Sequence, residues 1–255
     1  MEQPPDRPLS RTRPGGADLR ASWEKHAARW VAWARKPGHD SYSRFHRDLF
    51  LPLIPAAGRK TLDLGCGEGR LSRDLKDLGH DVVAVDVSPT MLEAAQGADQ
   101  EIETYLADAA ALPFADAAFD CVVAFMSLQD VDDLGGAIRE AGRVLEPRGH
   151  LCFAIVHPLN SAGAFEGDAP DSPFVIDGSY LEESFYEDHV ARSGLEMTFV
   201  SAHRPLHAYT DAITDAGMLI ERLHEPAIPG HALTRPSIRR WQRLPLFLHG
   251  RAIRT

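Results

Sequence analysis

Lys60-Thr61-Leu62-Asp63-Leu64-Gly65-Cys66-Gly67-Glu68-Gly69-Arg70 is the stretch at which the chain changes rhythm. An apolar run, Lys60–Leu64, passes into three glycines on alternate positions. Arg70–Leu78 follows with Leu71, Leu75 and Leu78 at helical spacing, and Gly79 closes it. This reads as a strand handing over to a helix through a glycine turn. Glycine takes dihedrals that side chains forbid and lets a ligand approach the backbone, while the first turn of the helix offers unpaired N–H groups. The pattern is GxGxG, not the GxGxxG that packs over a pyrophosphate, and Arg70 stands where the third glycine would be. Asp63 precedes the loop, and a carboxylate there repels a diphosphate and attracts an ammonium group. The turn therefore points to a ligand with an amine near the loop and no diphosphate.

Working outward, Asp81–Asp86 (DVVAVD) reads as a second buried strand, and Ser88-Pro89 caps a helix to about Gln96. Glu103–Ala107 and Phe119–Phe125 are the third and fourth strands. Leu134–Leu145 is a helix closed around Pro147-Arg148-Gly149, and His150–His157 is the fifth strand. Continuous apolar strands alternating with helices predict a parallel sheet covered on both faces. Asp86 ends the second strand about twenty residues past the loop, where a carboxylate reaches both hydroxyls of a ribose. Loop and acid together specify a nucleoside.

On the N-terminal side, Met1–Gly16 is rich in Pro, Arg and Gly, has no apolar signal-peptide core, and reads as a disordered tail over residues 1–17. Asp18–Trp33 has helical spacing with Trp23, Trp30 and Trp33, and a second helix is expected from Ser41 to about Leu53. On the C-terminal side, Pro158–Gly178 reads as a loop, and Ser179–Val190 with Glu196–His203 as a strand pair. Pro205–Ala216 reads as a helix, and Gly217–His224 and Leu244–Ile253 as closing strands. The loop joining those last two strands is long enough for them to pair antiparallel.

The bulk composition agrees with one large globular domain: 255 residues, 44% hydrophobic and 25% charged. With 27 Lys and Arg against 37 Asp and Glu, the net charge of −10 argues against binding a nucleic-acid backbone. The basic run Arg235–Arg243 reads as a solvated face. No apolar stretch approaches the ~20 residues of a membrane helix. Cys66, Cys121 and Cys152 lie in or beside strand-like runs without CxxC spacing, which predicts reduced thiols, no zinc site and a cytoplasmic home.

Thr61–Arg70 (TLDLGCGEGR), Val82–Met91 (VVAVDVSPTM), Leu106–Phe114 (LADAAALPF) and Phe119-Asp120, in this order, resemble class I S-adenosylmethionine-dependent methyltransferases. The nearest subgroup contains the ubiquinone and menaquinone biosynthesis enzymes. The resemblance runs from about Lys60 to Pro158. It implies a Rossmann-like α/β fold, a seven-stranded mostly parallel sheet with the last strand antiparallel. It further implies S-adenosylmethionine as cofactor, with S-adenosylhomocysteine as product. Gly65, Cys66 and Gly67 would pass under the methionine part, with Asp63 drawing its amino group. Asp86 would hold the ribose, Val87 and Met91 the adenine. Asp108 would accept from the adenine amino group and Ala109 would offer its N–H. Phe125 and Met126 would line the sulfonium. The chain departs from its relatives at Gln129, where they often carry His.

On this reading residues 18–255 form the methyltransferase domain, with a helical lid over 18–55 and a substrate-side insertion, a β-hairpin after strand five, over 158–204. The expected acceptor is a small molecule, aromatic or amine-bearing, ringed by Trp33, Tyr42, His46, Tyr180 and Tyr186, with Phe45 and Phe185 nearby. In the hairpin, Tyr180, Glu182, Ser184, Tyr186 and Asp188 alternate onto one face. His157, His203 and His207 are the candidate bases; His157 leads because it ends a strand on the cofactor side. No metal, nucleic-acid or membrane partner is expected. Two other readings remain open: a protein of this fold and cofactor that acts on a peptide or catalyses something other than methyl transfer, and a nicotinamide-dependent oxidoreductase.

Overall fold

Short runs of Val, Leu, Ile and Ala separated by glycine turns and capped helices build the central sheet. In the computed structural model, which describes residues 10–12, 18–176 and 178–255, its strands are β1 (Thr61–Leu64), β2 (Val82–Asp86), β3 (Glu103–Leu106) and β4 (Phe119–Phe125). They continue with β5 (Leu145–Val156), β6 (Met218–His224) and β7 (Phe247–Arg254). Their order across the sheet is β6-β7-β5-β4-β1-β2-β3. The pairs β1–β2, β2–β3, β1–β4 and β4–β5 are parallel, whereas β7 runs antiparallel to both β5 and β6. This is the seven-stranded Rossmann-like arrangement expected. The chain winds outward from β1 to β3, then returns to β4 on the other side of β1. The crevice beyond the carboxyl ends of β1 and β4 is thus the switch point at which ligands bind in open α/β sheets.

Alternation along β4 shows how both faces are covered. Val122 and Ala124 join Leu62, Leu64, Val83 and Val85 in one cluster, closed by Ile138 on α4 (Leu134–Val144) and Tyr209 on α5 (Leu206–Asp215). Cys121, Val123 and Phe125 face the other way, onto Leu71 and Leu75 of α2 (Arg70–Asp77) and onto Phe50 and Leu53. α3 (Pro89–Ala98) starts as predicted, with Pro89 in its first turn and the Ser88 hydroxyl accepting from the Met91 N–H. The N-terminal helix, α1 (Leu19–Ala34), is capped by the Asp18 side chain.

Several elements differ from expectation. Residues 42–53 are helical throughout, but open as a π turn (Tyr42–His46) before the α and 3-10 turns. The segment read as a loop, Pro158–Gly178, holds a helix (Pro158–Ala162) and two paired strands (Gly163–Phe165, Phe174–Ile176). Phe165 and Phe174 pack edge-on against each other and against Trp241, a partner far along the chain that no local pattern reveals. β5 begins at Leu145 with no break at Pro147-Arg148-Gly149; Arg148 takes φ +67° and the pairing with β4 is irregular there. The hairpin is Ser184–Arg192 paired with Leu195–His203, so Tyr180 and Glu182 lie before it, not on its face. In the basic run, Arg240 is buried and donates to the Gly167 carbonyl at 2.6 Å. Of the expected tail, 1–17, only Ser10–Thr12 falls within the described residues, as a strand on the hairpin edge; the rest lies outside them. Among the described residues, no helix is long and apolar enough to cross a membrane.

Candidate functional site

Gly65, Gly67 and Gly69 all take positive φ, +76°, +57° and +80°. A Cβ on Gly65 would stand 2.4 Å from the Ser127 Cβ, so the loop after β1 and the turn after β4 touch where only glycine fits. The Gly65 and Cys66 N–H groups both donate to the Val85 carbonyl, at 2.8 and 2.9 Å. Asp86 completes the anchoring: one carboxylate oxygen accepts from Gly67 N at 2.8 Å, the other from Ser88 N at 2.9 Å. Asp63 lies beneath the loop, 1% exposed, accepting from the Ser72 hydroxyl at 2.5 Å. Burial, reinforced by the nearby Asp86 charge, pushes its carboxyl up to about 7. Burial also raises Asp86, against the backbone donors that hold it.

These residues surround one cavity. Asp63, Gly65, Cys66 and Gly67 enter from β1, and Asp86, Val87 and Met91 from β2 and α3. Asp108 and Ala109 enter from the turn after β3, and Phe125 and Met126 from β4. All eleven positions assigned to the cofactor from the sequence thus come together on its wall. Asp108 is itself fixed by accepting from Ala110 N at 2.9 Å.

The cavity roof is the helix Leu19–Ala34. It contributes Arg20, Trp23 and Trp30, with the two indoles edge-to-face at 5.9 Å. Three links hold the helix down. The Glu24 carboxylate accepts from the Ser88 and Thr90 hydroxyls, Arg35 Nε meets Glu68 at 3.0 Å, and Leu19 N donates to Asp132 at 3.0 Å. Arg70, in the place of a third glycine, lines the cavity with its guanidinium 5.0 Å from the Trp30 ring and 4.4 Å from Tyr42, and pairs with Asp40.

The residues expected around the acceptor are not on this wall. Trp33 packs against His39 and Phe199. Tyr42 donates to Asp74 at 2.5 Å behind Arg70. His46 is buried with its Nε2 2.7 Å from His249 Nε2. The Tyr180 hydroxyl accepts from Leu206 N at 3.1 Å, and Tyr186 is buried behind Ser201 and Asp130. Nor do the three histidines reach the cavity. His157 caps the helix Pro158–Ala162 through Nδ1 and meets Glu225 through Nε2 at 2.9 Å. His203 is fully buried between Ser161 and the Tyr180 carbonyl. His207 is exposed on α5. The ring nitrogens of His157 and His203 are engaged in holding structure, and His207 faces solvent on a helix.

Sequence reasoning passed over Trp23, Trp30 and Asp130, all on the cavity wall. The two tryptophans carried a usable signal, since residues seven apart share a helix face. Asp130 carried none, for nothing local distinguishes it from Asp132 or Asp133.

Residues 62–153 match the family model described as a methyltransferase domain. The malonyl-[acyl-carrier protein] O-methyltransferase of Pseudescherichia vulneris is 36% identical over 122 residues, 46% of this chain and 49% of that protein. The demethylmenaquinone methyltransferase of Renibacterium salmoninarum is 39% identical over 118 residues, 46% of this chain and 50% of that protein. The chain therefore spans about half the length of the curated relatives it matches. An S-adenosylmethionine-dependent methyltransferase from Mesorhizobium loti superposes with a TM-score of 0.67 at 28% identity, covering 81% of this chain and 96% of that one.

Proposed function

We propose that this chain is a class I S-adenosylmethionine-dependent methyltransferase, which holds that cofactor in the cavity at the switch point and passes its methyl group to a small-molecule acceptor. One observation carries the reading: Asp63, Asp86 and Asp108, at the ends of three adjacent strands, ring a positive-φ glycine loop on one wall with Val87, Met91, Phe125 and Met126. The donor set fits this cofactor. Asp63 suits its ammonium group, Asp86 its ribose hydroxyls and Asp108 the adenine amino group, with apolar side chains for the ring and the sulfonium. Arg70 adds a cation for the methionine carboxylate.

Bound there, S-adenosylmethionine supplies an electrophilic methyl group on a sulfonium. The work left to the protein is alignment and exclusion of water, and alignment alone contributes ~7–11 kcal/mol in favourable cases. The roof helix covers part of the cavity with Trp23 and Trp30, and the links of Glu24, Arg35 and Leu19 hold it in place.

The test has two parts. Isothermal titration should give binding of S-adenosylhomocysteine and no response to NAD(H); tight NAD(H) binding with no response to S-adenosylhomocysteine would sink the reading. Methyl-labelled S-adenosylmethionine should then label the small-molecule fraction of a cell extract. Label confined to the protein fraction would move the acceptor to a peptide, and absence of any labelled product would mark a protein that binds the cofactor without methyl transfer.

A further inference from the structure

Asp130 closes the 3-10 turn Leu128–Asp130 that follows β4 and stands on the cavity wall with Phe125, Met126 and Ser127. Its surroundings hold the carboxylate in one orientation. Gln129 Nε2 donates to the Met126 carbonyl at 2.6 Å and to Asp130 Oδ2 at 3.1 Å, so the residue that departs from the family pattern braces the acid beside it. Ser201 on the hairpin and Trp23 on the roof helix lie beside the same carboxylate, whose Oδ1, like the Trp23 indole nitrogen, is buried with no hydrogen-bond partner.

The other acids on this wall are already engaged. Asp86 holds Gly67 and Ser88, Glu68 holds Arg35 and Arg73, and Asp132 takes the Leu19 N–H. Asp63 lies beneath the glycine loop on Ser72, and Asp108 is tied to Ala110. Among the described residues of the wall there is no histidine.

We propose that Asp130 is the base of the transfer, and that the acceptor presents an N–H or O–H to it. This rests on the methyltransferase reading above. The acceptor nitrogen or oxygen forms its bond to the methyl carbon as the bond from that carbon to the donor sulfur breaks, its electron pair going to sulfur. The acceptor's proton passes to the Asp130 carboxylate, which releases it to solvent when the roof opens.

The charges around Asp130 suit that task. Arg204 approaches it, but its guanidinium is committed to Glu183 at 2.9 Å and to the Val131 carbonyl at 2.8 Å. The phenols of Tyr186 and Tyr209 are driven upward by burial and stay neutral. The other ionisable side chains on the same wall are Arg20, Asp63, Glu68, Arg70, Asp86, Asp108 and Asp132, with the Cys66 thiol. Desolvation outweighs the hydrogen bonds and lifts the Asp130 carboxyl to about 7, the range in which a base works best at neutral pH.

The experiment compares the full wild-type chain with D130N and D130E. Each receives labelled S-adenosylmethionine and a panel of small amines, phenols and alcohols, and S-adenosylhomocysteine affinity is titrated in parallel. Wild-type kcat should rise with pH through about 7. D130N should lose about 100-fold or more in kcat, with S-adenosylhomocysteine affinity kept within about twofold, and D130E should recover part of the rate. In carbon-13 spectra of aspartate-labelled protein, one carboxyl that titrates near 7 should vanish in D130N. Unchanged kcat and pH profile in D130N would overturn the assignment, as would a matching loss of S-adenosylhomocysteine affinity. Cofactor binding with no methylation of any N–H or O–H acceptor overturns it too. Failure of the wild type to bind S-adenosylhomocysteine overturns the methyltransferase reading itself.

Discussion

The Asp86 carboxylate accepts from the Gly67 N–H at 2.8 Å, so the acid that ends β2 and the glycine loop that follows β1 form one hydrogen-bonded unit. A second oxygen of the same carboxylate takes the Ser88 N–H. The ligand contacts assigned to the loop and to the acid are therefore not independent.

Asp86→Ala should accordingly cost more than a ribose contact. It leaves two backbone N–H groups without their acceptor, each worth ~1–3 kcal/mol when buried. S-adenosylhomocysteine affinity should fall about 100-fold or more, and the apo protein should also unfold at lower denaturant. Unchanged affinity by isothermal titration would show that Asp86 does not hold the cofactor.

Gly65→Ala places a methyl group 2.4 Å from the Ser127 Cβ at a φ of +76°. Ser127 has little room to yield, because its hydroxyl donates to the Leu64 carbonyl at 2.6 Å. Overpacking of this kind costs ~1–3 kcal/mol. The expected result is a lower thermal midpoint together with loss of S-adenosylhomocysteine binding, read by calorimetry on the same samples.

Asp63 ties stability to pH. Its carboxyl is raised to about 7 in the fold by burial, so between the ordinary carboxylate range and about 7 the native state binds more protons than the unfolded chain. Its contribution is present at low pH and is lost as pH rises through that window. Asp63→Asn keeps an acceptor for Ser72 and removes the titration. Relative to wild type, the variant should gain apo stability with rising pH, by up to about 4 kcal/mol. Parallel denaturation curves at pH 5 and 8 check the sign.

The buried His46 and His249 act in the opposite sense. Burial holds His46 well below its ordinary value and lowers His249 to about 4, and their Nε2 atoms lie 2.7 Å apart, a spacing that suits one shared proton and not two. Both are depressed, so the unfolded chain binds more protons below the ordinary histidine range, and the stability they permit is lost as pH falls from about 6.5 toward 4. His46→Phe, packed among Phe45, Phe125 and Phe247, should flatten this acid-side loss. An equally steep acid-side loss in the variant would count against the pair as its source.

Glu24→Ala tests the roof. It removes the acceptor for the Ser88 and Thr90 hydroxyls and should speed S-adenosylhomocysteine release in stopped flow by about 10-fold, the equivalent of one hydrogen bond to a charged group. The global unfolding midpoint should move little, because the clasp lies outside the sheet core.

By itself, the sequence determined the features whose information is local. The strand-to-helix turns at Gly65–Gly69 and Ser88-Pro89 and the alternating β and α rhythm follow from spacing and from the dihedral limits of Gly and Pro, while the antiparallel last strand is implied by the family resemblance. They lead directly to the cavity wall of Asp63, Asp86 and Asp108. Only the tertiary structure decided what covers that wall. Spacing puts Trp23 and Trp30 on one helix face, but that this face covers the wall depends on long-range links, Leu19 to Asp132, Glu24 to Ser88 and Thr90, and Arg35 to Glu68. The same long-range packing tied His157 to Glu225 and His203 to Ser161, and it brought Ser201 and Trp23 beside Asp130. Residue type and spacing encode which backbone turns are possible. Which side chains meet across distant segments depends on how whole elements pack, and no local pattern records it.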